Sequence, residues 1–400
     1  MSDGANDSRT GGGGATSPAR ARIVSLDVIR GAVMVLMAVD HVRVFSGVPA
    51  GGPTPGVFFT RWITHFCAPA FVFLAGTAAF LHGRKLADRG ALSRFLLVRG
   101  AWLVLLELTF LRFAWTFNFD YAHYVLAGVI WVIGWCMILL AAIVHLPLAA
   151  VTTFGVVVAF GHNLLDPYIP KLVAAAQASA VPWFWSVLYL GPLAIRADSG
   201  PFVVLYSLVP WVGVMALGYA FGSVMVMEKE RRQRICVLLG FGALEAFVVL
   251  RAAKWYGDPR PWDGVSGLRF LNTTKYPASF QFLTMTLGPT LVLVPLLERA
   301  RGWLARVLIV FGRVPLFYYV LHIPLIHAAA CLVSLAREGR VNPWLFANHP
   351  MMPPPAPAGY TWSLPLLYAV TATVVVILYF PCRWYGALKA RRREAWLQLL

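Results

Sequence analysis

The chain has 400 residues, of which 59% are hydrophobic and only 13% are charged. Soluble domains average roughly 45–50% apolar and about 25% charged residues, so this composition excludes an ordinary water-soluble fold. The formal net charge is +17, but the basic residues are dispersed among short polar segments, which argues against nucleic-acid binding. We therefore expect an integral membrane protein whose basic residues mark its topology and contact anionic membrane lipids.

The first segment, 1–21, is rich in Gly, Ser, Asp and Thr. It buries too little apolar surface to order itself, so we predict a disordered cytoplasmic tail. The rest of the chain, 22–396, is predicted to form one membrane domain, because no loop within it reaches the length of a small independent fold.

Long apolar segments then follow one another along the chain. In lipid such segments must be helical, because each backbone N–H needs a partner within its own segment. The predicted fold class is therefore all-α: a polytopic bundle of about ten transmembrane helices. The ninth segment contains Pro315 and Pro324 and can break into two half-helices. The predicted spans are 24–46, 63–82, 95–115, 122–144, 147–165, 202–222, 235–253, 276–296, 307–334 and 361–382.

The distribution of basic residues predicts the orientation. Lys and Arg gather on the cytoplasmic side of short loops, and an even number of spans places most of the 34 Lys and Arg residues on one side. Both termini are therefore predicted to be cytoplasmic, with the chain spanning the inner (plasma) membrane of the cell. The larger loops, about 46–62, 166–201, 254–275 and 335–360, are then outside.

Charged residues within a span are costly, so each one is a functional hypothesis. Asp27 and Arg30 lie near the cytoplasmic end of the first span and share a helix face, so they can pair. One interpretation is a structural ion pair that locks the first helix into the bundle. The other is that Arg30 faces a cytoplasmic vestibule where a phosphorylated donor docks, since a guanidinium suits phosphate.

A second polar group lies further along the same helix. Asp40 and His41 are roughly 20 Å from Asp27 at 1.5 Å per residue, in the opposite half of the bilayer. His65 begins the second span after the outer loop, so both histidines lie toward one membrane face. Imidazole can act as a general base or nucleophile, although a histidine in a membrane can also be a hydrogen-bonded packing residue. Other candidates for the same cavity are Arg112, His123, His162, Lys275 and Tyr276.

No metal site is predicted. His322 and His327 are five residues apart and face different directions on a regular helix. The five cysteines include no C-x-x-C pair and lie in apolar segments, where Cys usually acts as a small hydrophobe.

Five blocks along the chain resemble one family. Ser25–Gly31 and Ala68–Gly76 are similar to the N-terminal signature of the heparan-α-glucosaminide N-acetyltransferase-like membrane proteins. The blocks Leu271–Pro277, Thr284–Pro289 and Gly312–Tyr318 resemble the bacterial branch of the same transmembrane acyltransferase superfamily. Their order along the chain makes the match more specific than any one block.

The resemblance implies acyl transfer from cytoplasmic acetyl-CoA to a sugar or glycan acceptor on the far side of the membrane. Members of the family are often homodimers. The eukaryotic enzyme carries its catalytic histidine in the loop between the first two helices, and the corresponding loop here, about 46–62, contains none. The role then falls to His65 or His41, with Asp40 as the orienting carboxylate, and Arg30 with Asp27 serves the donor.

A second functional class uses the same buried charges. A transporter or flippase for a lipid-linked or small acidic molecule would also place ionisable groups along a path through the bilayer. The broken ninth helix and the large outer loops are compatible with it.

Overall fold

The computed structural model describes residues 23–52, 54–179, 181–194, 201–347 and 354–392, together with 394 and 397. The predicted tail, 1–21, lies outside the described residues. The described chain is almost entirely helical, as its apolar composition predicts.

The first helix, α1, occupies Val24–Ser46, as predicted, and ends at Gly47, whose φ of 71° is a left-handed conformation that favours glycine. The elements that follow α1 in the first half of the chain are α2 (Pro55–Trp62), α3 (Cys67–Gly83), α4 (Arg89–Leu106), α5 (Arg112–Thr116), β1 (Val125–Ala127), α6 (Val129–Ile143), α7 (Leu148–Gly161), α8 (Ile169–Ala178) and α9 (Pro182–Trp185).

The second half continues the bundle around α1, which packs against helices from both halves of the chain. Its elements are β2 (Phe202–Val204), α10 (Leu208–Val224), α11 (Lys229–Ala253), α12 (Gly267–Phe270), α13 (Phe280–Leu296), α14 (Trp303–Arg313), α15 (Pro315–Glu338), α16 (Trp344–Ala347) and α17 (Leu364–Arg391).

Five helical stretches in the described chain are long and apolar enough to cross a membrane. Three shorter apolar helices, α6, α10 and α13, accompany them. α1 has the length of a span but carries four charged side chains. The protein is therefore a multi-pass membrane protein, while the count of ten spans and the orientation of the termini stay predictions. The five stretches are Pro55–Gly83, Leu148–Ala178, Lys229–Ala253, Pro315–Glu338 and Leu364–Arg391.

The predicted outer loop at 46–62 is wrong in its second half. Pro55 begins α2, which runs through a 3-10 turn at Ile63–Phe66 into α3. The Thr54 hydroxyl accepts a hydrogen bond from the Val57 N–H at 3.4 Å, and Pro at the first helical position has no N–H that would need a partner. Arg61 therefore lies on a helix that leads into the bundle.

The ninth predicted span breaks once. α14 ends at Arg313, and Val314 adopts an extended φ of −134° before Pro315 begins α15. A residue before proline avoids the helical region, which explains the position of the break. Pro324 stays inside α15.

Glycine contacts bring the helix backbones together. A Cβ on Gly31 would lie 1.9 Å from the Leu308 carbonyl oxygen, and one on Gly312 would lie 1.8 Å from that of Asp27. These contacts seat α14 directly on α1. Equally close contacts at Gly76 and Gly218 join α3 to α10. Small residues at such crossings are the usual means by which membrane helices pack.

One short element departs from the all-α prediction. Strands β1 and β2 pair in parallel, with Val125 opposite Phe202. The sixth helix consequently starts at Val129 and not at 122 as predicted. Glu107, which is 1% exposed, accepts hydrogen bonds from the Ile130 and Trp131 N–H groups at 2.9 and 3.1 Å. Its carboxylate thus caps this helix, whose first N–H groups have no partner within the helix.

Candidate active site

The last turns of α1 bring a carboxylate, an imidazole and a guanidinium to one end of the bundle. Arg43 Nε donates to Asp40 Oδ1 at 3.1 Å, and its Nη1 donates to the Val48 carbonyl at 3.3 Å. The second bond ties the pair to the chain just beyond the helix end. His41 lies beside this pair and turns toward α15.

The His41 ring forms a short relay with that helix. His41 Nδ1 lies 2.7 Å from His322 Nε2, and His322 Nδ1 lies 2.6 Å from the Tyr319 carbonyl oxygen. Because a carbonyl oxygen can only accept, the network assigns the proton of a neutral His322 to Nδ1, which leaves its Nε2 as an acceptor. His41 Nδ1 must then donate, so His41 Nε2 carries the lone pair. This is the tautomer that a general base needs.

A small cavity of about 30 Å³ opens beside His41. This volume has room for about two water molecules, so it suits reacting atoms and not a whole sugar. Lys275, a candidate from the sequence, lines the cavity together with Asp40 and His41. The full lining is Met37, Asp40, His41, Thr64, Cys67, Ala68, Phe71, Val129, Tyr206 and Lys275.

Positive charge surrounds Asp40. Arg61 Nη1 lies 3.9 Å from Asp40 Oδ2, whereas Arg43 contacts the other carboxylate oxygen, Oδ1. Lys275 Nζ lies 5.9 Å from the centre of the Tyr206 ring and 5.3 Å from that of Tyr276, within cation–π distance of both. Asp40 is thus engaged by arginines, whereas the hydrogen bond of His41 goes to His322 and not to the carboxylate that the sequence analysis paired with it.

His65 lies close to the same charged side chains as His41 but takes no part in the relay to His322. It is 7% exposed, its ring packs edge-on against Phe282 at 5.5 Å between centroids, and its Nδ1 has no hydrogen-bond partner among the described residues. It is not one of the residues that line the cavity, although its neighbour Thr64 is. A catalytic role for His65 stays a prediction.

The predicted pairing of Asp27 with Arg30 is confirmed. Arg30 Nη1 lies 3.7 Å from Asp27 Oδ1, and Arg30 Nη2 donates to the Leu74 carbonyl at 3.2 Å. The ion pair lies within α1, and the bond to Leu74 ties α1 to α3, which fits the structural interpretation of the pair. The donor-binding role of Arg30 and Asp27 is still a prediction.

A buried cage holds the loop that carries Lys275. Arg251, on α11, donates at 2.9–3.2 Å to four backbone carbonyls in this loop and to Gln281 Oε1. The Asp258 carboxylate accepts from the N–H and hydroxyl of Thr274 at 2.8 and 2.7 Å. Since Thr274 precedes Lys275 in the chain, the cage fixes where the ammonium group can reach. The four carbonyls belong to Arg260, Arg269, Phe270 and Asn272.

The remaining candidates lie in separate networks. Arg112 donates to the carbonyls of a neighbouring turn, including that of Tyr124 at 3.0 Å, and so has a structural role. His123 is exposed and pairs with Asp120 at 2.8 Å. The Nδ1 of His162 lies 3.2 Å from the Val158 carbonyl of its own helical segment. Within the described chain no group of three His, Cys, Asp or Glu residues is arranged to hold a metal ion.

A cleft of about 430 Å³, called here the outer cleft because two loops predicted to be outside line it, shares two elements with the cavity. Phe58 of the cleft precedes Thr64 of the cavity on the helical stretch Pro55–Gly83. Asn272 likewise precedes Lys275 on the loop, so the two linings are close along the chain in both places. The cleft is lined by Gly51, Gly52, Thr54, Phe58, Ser266, Leu268, Arg269 and Asn272.

Comparison with known proteins adds one positive finding. Residues 22–251 match the family model described as heparan-alpha-glucosaminide N-acetyltransferase, catalytic. The match contains Asp27, Arg30, Asp40, His41 and His65, and it ends before Lys275 and His322. No curated protein matches the chain.

Proposed function

The chain belongs to the heparan-alpha-glucosaminide N-acetyltransferase catalytic family, and on this premise we propose that it transfers an acetyl group from cytoplasmic acetyl-CoA to a sugar or glycan acceptor outside the plasma membrane. The observation that carries the proposal is the relay from His41 through His322 to the Tyr319 carbonyl. It leaves a basic ring nitrogen on a residue that lines a cavity suited to a few reacting atoms.

In the proposed reaction His41 Nε2 removes a proton from the attacking hydroxyl or amine of the acceptor. The new bond joins that oxygen or nitrogen to the acyl carbon, the carbon–sulfur bond breaks, and the thiol leaves with the proton returned by His41. His322 keeps His41 in the required tautomer, as the orienting group of a catalytic triad does. Acetyl-CoA supplies the activated acyl group.

The cations beside His41 would stabilise charge as it develops. Attack on a thioester carbonyl places negative charge on its oxygen, and prearranged positive groups in a site that excludes water lower the energy of that state. Lys275 lines the cavity, and Arg61 contacts Asp40 at the oxygen that Arg43 leaves open. Both are held by other contacts before any substrate arrives, Lys275 through the Arg251 cage and Arg61 through its bond to the Thr64 hydroxyl at 3.3 Å.

The outer cleft is the approach that we propose for the acceptor. Its 430 Å³ is comparable to the pockets that hold small ligands, and Phe58 with Asn272 offers a ring face and an amide to a sugar. The donor would reach the cavity from the opposite end of α1, where Arg30 and Asp27 lie. Arg30 is already paired with Asp27 and bonded to the Leu74 carbonyl, so it holds α1 in place whether or not a donor is bound.

The test is acyl transfer by purified protein in detergent. With radiolabelled acetyl-CoA and a panel of glucosamine-terminated and neutral oligosaccharides, we expect label to appear in an acceptor. A His41→Ala variant should lose roughly 10²- to 10⁴-fold in rate, which is the usual contribution of a general base. His65→Ala separates the two histidines that the sequence left open. The matched control is His123→Ala, since His123 belongs to an exposed ion pair and does not line the cavity. This variant should stay fully active.

Two outcomes would overturn the proposal. Full transfer by a His41→Ala, His65→Ala double variant would remove the proposed base. Substrate flux into liposomes that is indifferent to acetyl-CoA, with no labelled product under any condition, would favour transport instead.

A further inference from the structure

One of the membrane-length helices, α11, carries a single charged residue within its apolar run. From Ile235 to Leu250 every residue is apolar or small except Glu245. At 1.5 Å per residue Glu245 lies roughly 17 Å from Arg234 and about 9 Å from Arg251, so it falls within the hydrocarbon core of the membrane. A glutamate side chain is too short to reach either membrane surface from this depth.

Glu245 points away from the helix bundle. α11 packs against α13 through its buried residues, among which Gly240 meets the backbone of Gly288. Glu245 lies on the other side of α11, where it is exposed and has no hydrogen bond or ion pair within the described part of the chain. The apolar residues around it on this face are exposed as well: Leu238 (61%), Phe241 (57%), Val248 (50%) and Val249 (55%).

A carboxyl group that faces lipid is costly whether or not it carries a proton. Hydrocarbon solvates neither a charge nor an unpaired polar atom. Ionisable residues in membrane spans therefore usually turn toward the bundle interior or pair with one another. Glu245 does neither within the described chain, so its position indicates a partner that the single chain does not supply.

Gly242 makes the same face suitable for a second helix. It lies three residues before Glu245 and so shares its side of α11. A Cβ built on Gly242 would meet nothing within 4 Å, so the surface above it is open. Small residues let membrane helices approach closely, and polar side chains then bond across the contact. On the opposite side of α11, Gly240 already packs against α13 in this manner.

The charge of Glu245 identifies the kind of helix that fits this face. A two-fold contact with a second copy would bring two Glu245 carboxylates together near the axis, where like charges repel. A helix with a basic residue at the same depth would instead pair with the carboxylate. We propose that the face of α11 around Gly242 and Glu245 binds a membrane-spanning helix of a partner protein that carries lysine or arginine at mid-bilayer depth. This interaction goes beyond the proposed acetyl transfer and uses none of its residues.

A matched pair of synthetic transmembrane peptides tests the proposal. Both are polyleucine helices with identical flanking residues, and they differ only at the central position, which is lysine in one and leucine in the other. Energy transfer between dye-labelled protein and dye-labelled peptide in lipid vesicles measures binding. We expect the lysine peptide to bind roughly 3- to 20-fold more tightly, in line with the strength of polar contacts between membrane helices.

Variants of α11 locate the contact. Glu245→Leu should abolish the preference for the lysine peptide, and Glu245→Asp should retain part of it because the charge is kept. Gly242→Leu should weaken binding of the lysine peptide, since the added side chain blocks close approach. The matched control is Leu239→Ala, because Leu239 is 49% exposed but lies about 120° around the helix from Glu245.

Four results would overturn the proposal. Two concern the peptides: equal binding of both by the unmodified protein, or a preference that persists in Glu245→Leu. Self-association of the protein in vesicles that Glu245→Leu removes would make a second copy the occupant of this face. A lower unfolding temperature for Glu245→Leu would give the carboxylate a role within the fold, whereas a lipid-facing Glu245 predicts an equal or higher one.

Discussion

Two buried cationic side chains in this protein, Arg251 and Lys275, differ in how fully their charges are paired. In the cage that holds the loop before Lys275, Arg251 makes five hydrogen bonds and its Nη1 lies 3.7 Å from Asp258 Oδ2, so its charge and its donors are matched. In the cavity, Lys275 faces open space and two aromatic rings without a carboxylate of its own among the described residues. Both side chains are almost inaccessible, at 2% and 6% exposure.

We interpret this difference as one between a charge that holds the fold together and a charge that serves the proposed reaction. A buried ion that is fully bonded stabilises the fold, and breaking it leaves its partners unsatisfied. A buried ion that is short of partners adds little to the fold and is available to a ligand. The same loop joins the two regions, since the cage determines where Lys275 lies.

The largest effect on stability is expected from breaking the cage. Arg251→Met would leave Asp258 buried with an unpaired charge and four carbonyls without donors, at a cost of about 3–5 kcal/mol in folding free energy. Lys275→Met should change that free energy by less than about 1 kcal/mol, since Met keeps the apolar stem and the lost charge had no ion-pair partner. Thermal unfolding in one detergent compares the two variants directly.

This contrast fails if the Lys275 variant is as destabilised as the Arg251 variant. Lys275 would then be part of the scaffold and not a ligand-binding residue. Arg251→Lys should lose an intermediate amount of folding free energy, because Lys keeps the charge but one ammonium group cannot reach five acceptors.

A smaller effect is expected from His322, which in the proposed reaction acts through its hydrogen bond to His41. His322→Leu removes the acceptor for His41 Nδ1–H, and loss of such an orienting partner typically costs 10- to 100-fold in activity. We expect the loss in kcat, with KM for the acceptor unchanged. His322→Gln restores an acceptor oxygen at a similar reach and should recover much of the rate. Equal impairment of both variants would mean that His322 has only a packing role.

The sequence predicted the parts of this architecture that depend on local pattern. The apolar run and Gly47 define α1, and the three-residue spacing of Asp27 and Arg30 places them on one face. Lys275 was a candidate because the predicted topology places it toward the same membrane face as His41 and His65. The helix that carries Arg61 was missed, although Thr54 and Pro55 are an N-cap and a first-turn residue.

Contacts between distant segments could not be predicted in this way. His41 and His322 are 281 positions apart, and no local periodicity relates them. The glycines at 31 and 312 seat α14 on α1, but each appears in the sequence as an isolated small residue. The contact between His41 and His322 could therefore be identified only from the structure. The catalytic role predicted for His65, in contrast, rested only on its position in the sequence.

The smallest effect is expected at the rim of the cage, where Asp263 pairs with Arg269 on the surface of the same loop. The hydrogen bond from the Val265 N–H, and after it the one from the Arg269 side chain, hold the pKa of Asp263 below its ordinary value of 3.8. Because the folded pKa is the lower one, the stabilisation by this carboxylate is complete above pH 3.8 and is lost as the pH falls through the folded pKa. Exposed pairs of this kind contribute little.

Asp263→Asn should therefore give a small decrease in unfolding temperature at pH 7, a smaller one in high salt, and none once the pH lies below the folded pKa of Asp263. The stability losses of Asp263→Asn and Arg251→Met are compared in the same detergent. A much larger loss for Arg251→Met would show that the cage stabilises the fold through burial and hydrogen bonding, and not through charge alone. A loss at Asp263 as large as that at Arg251 would show that the loop depends on its exposed rim. The position of Lys275 would then depend on the exposed Asp263–Arg269 pair and not on the contacts of Arg251 and Asp258 in the cage.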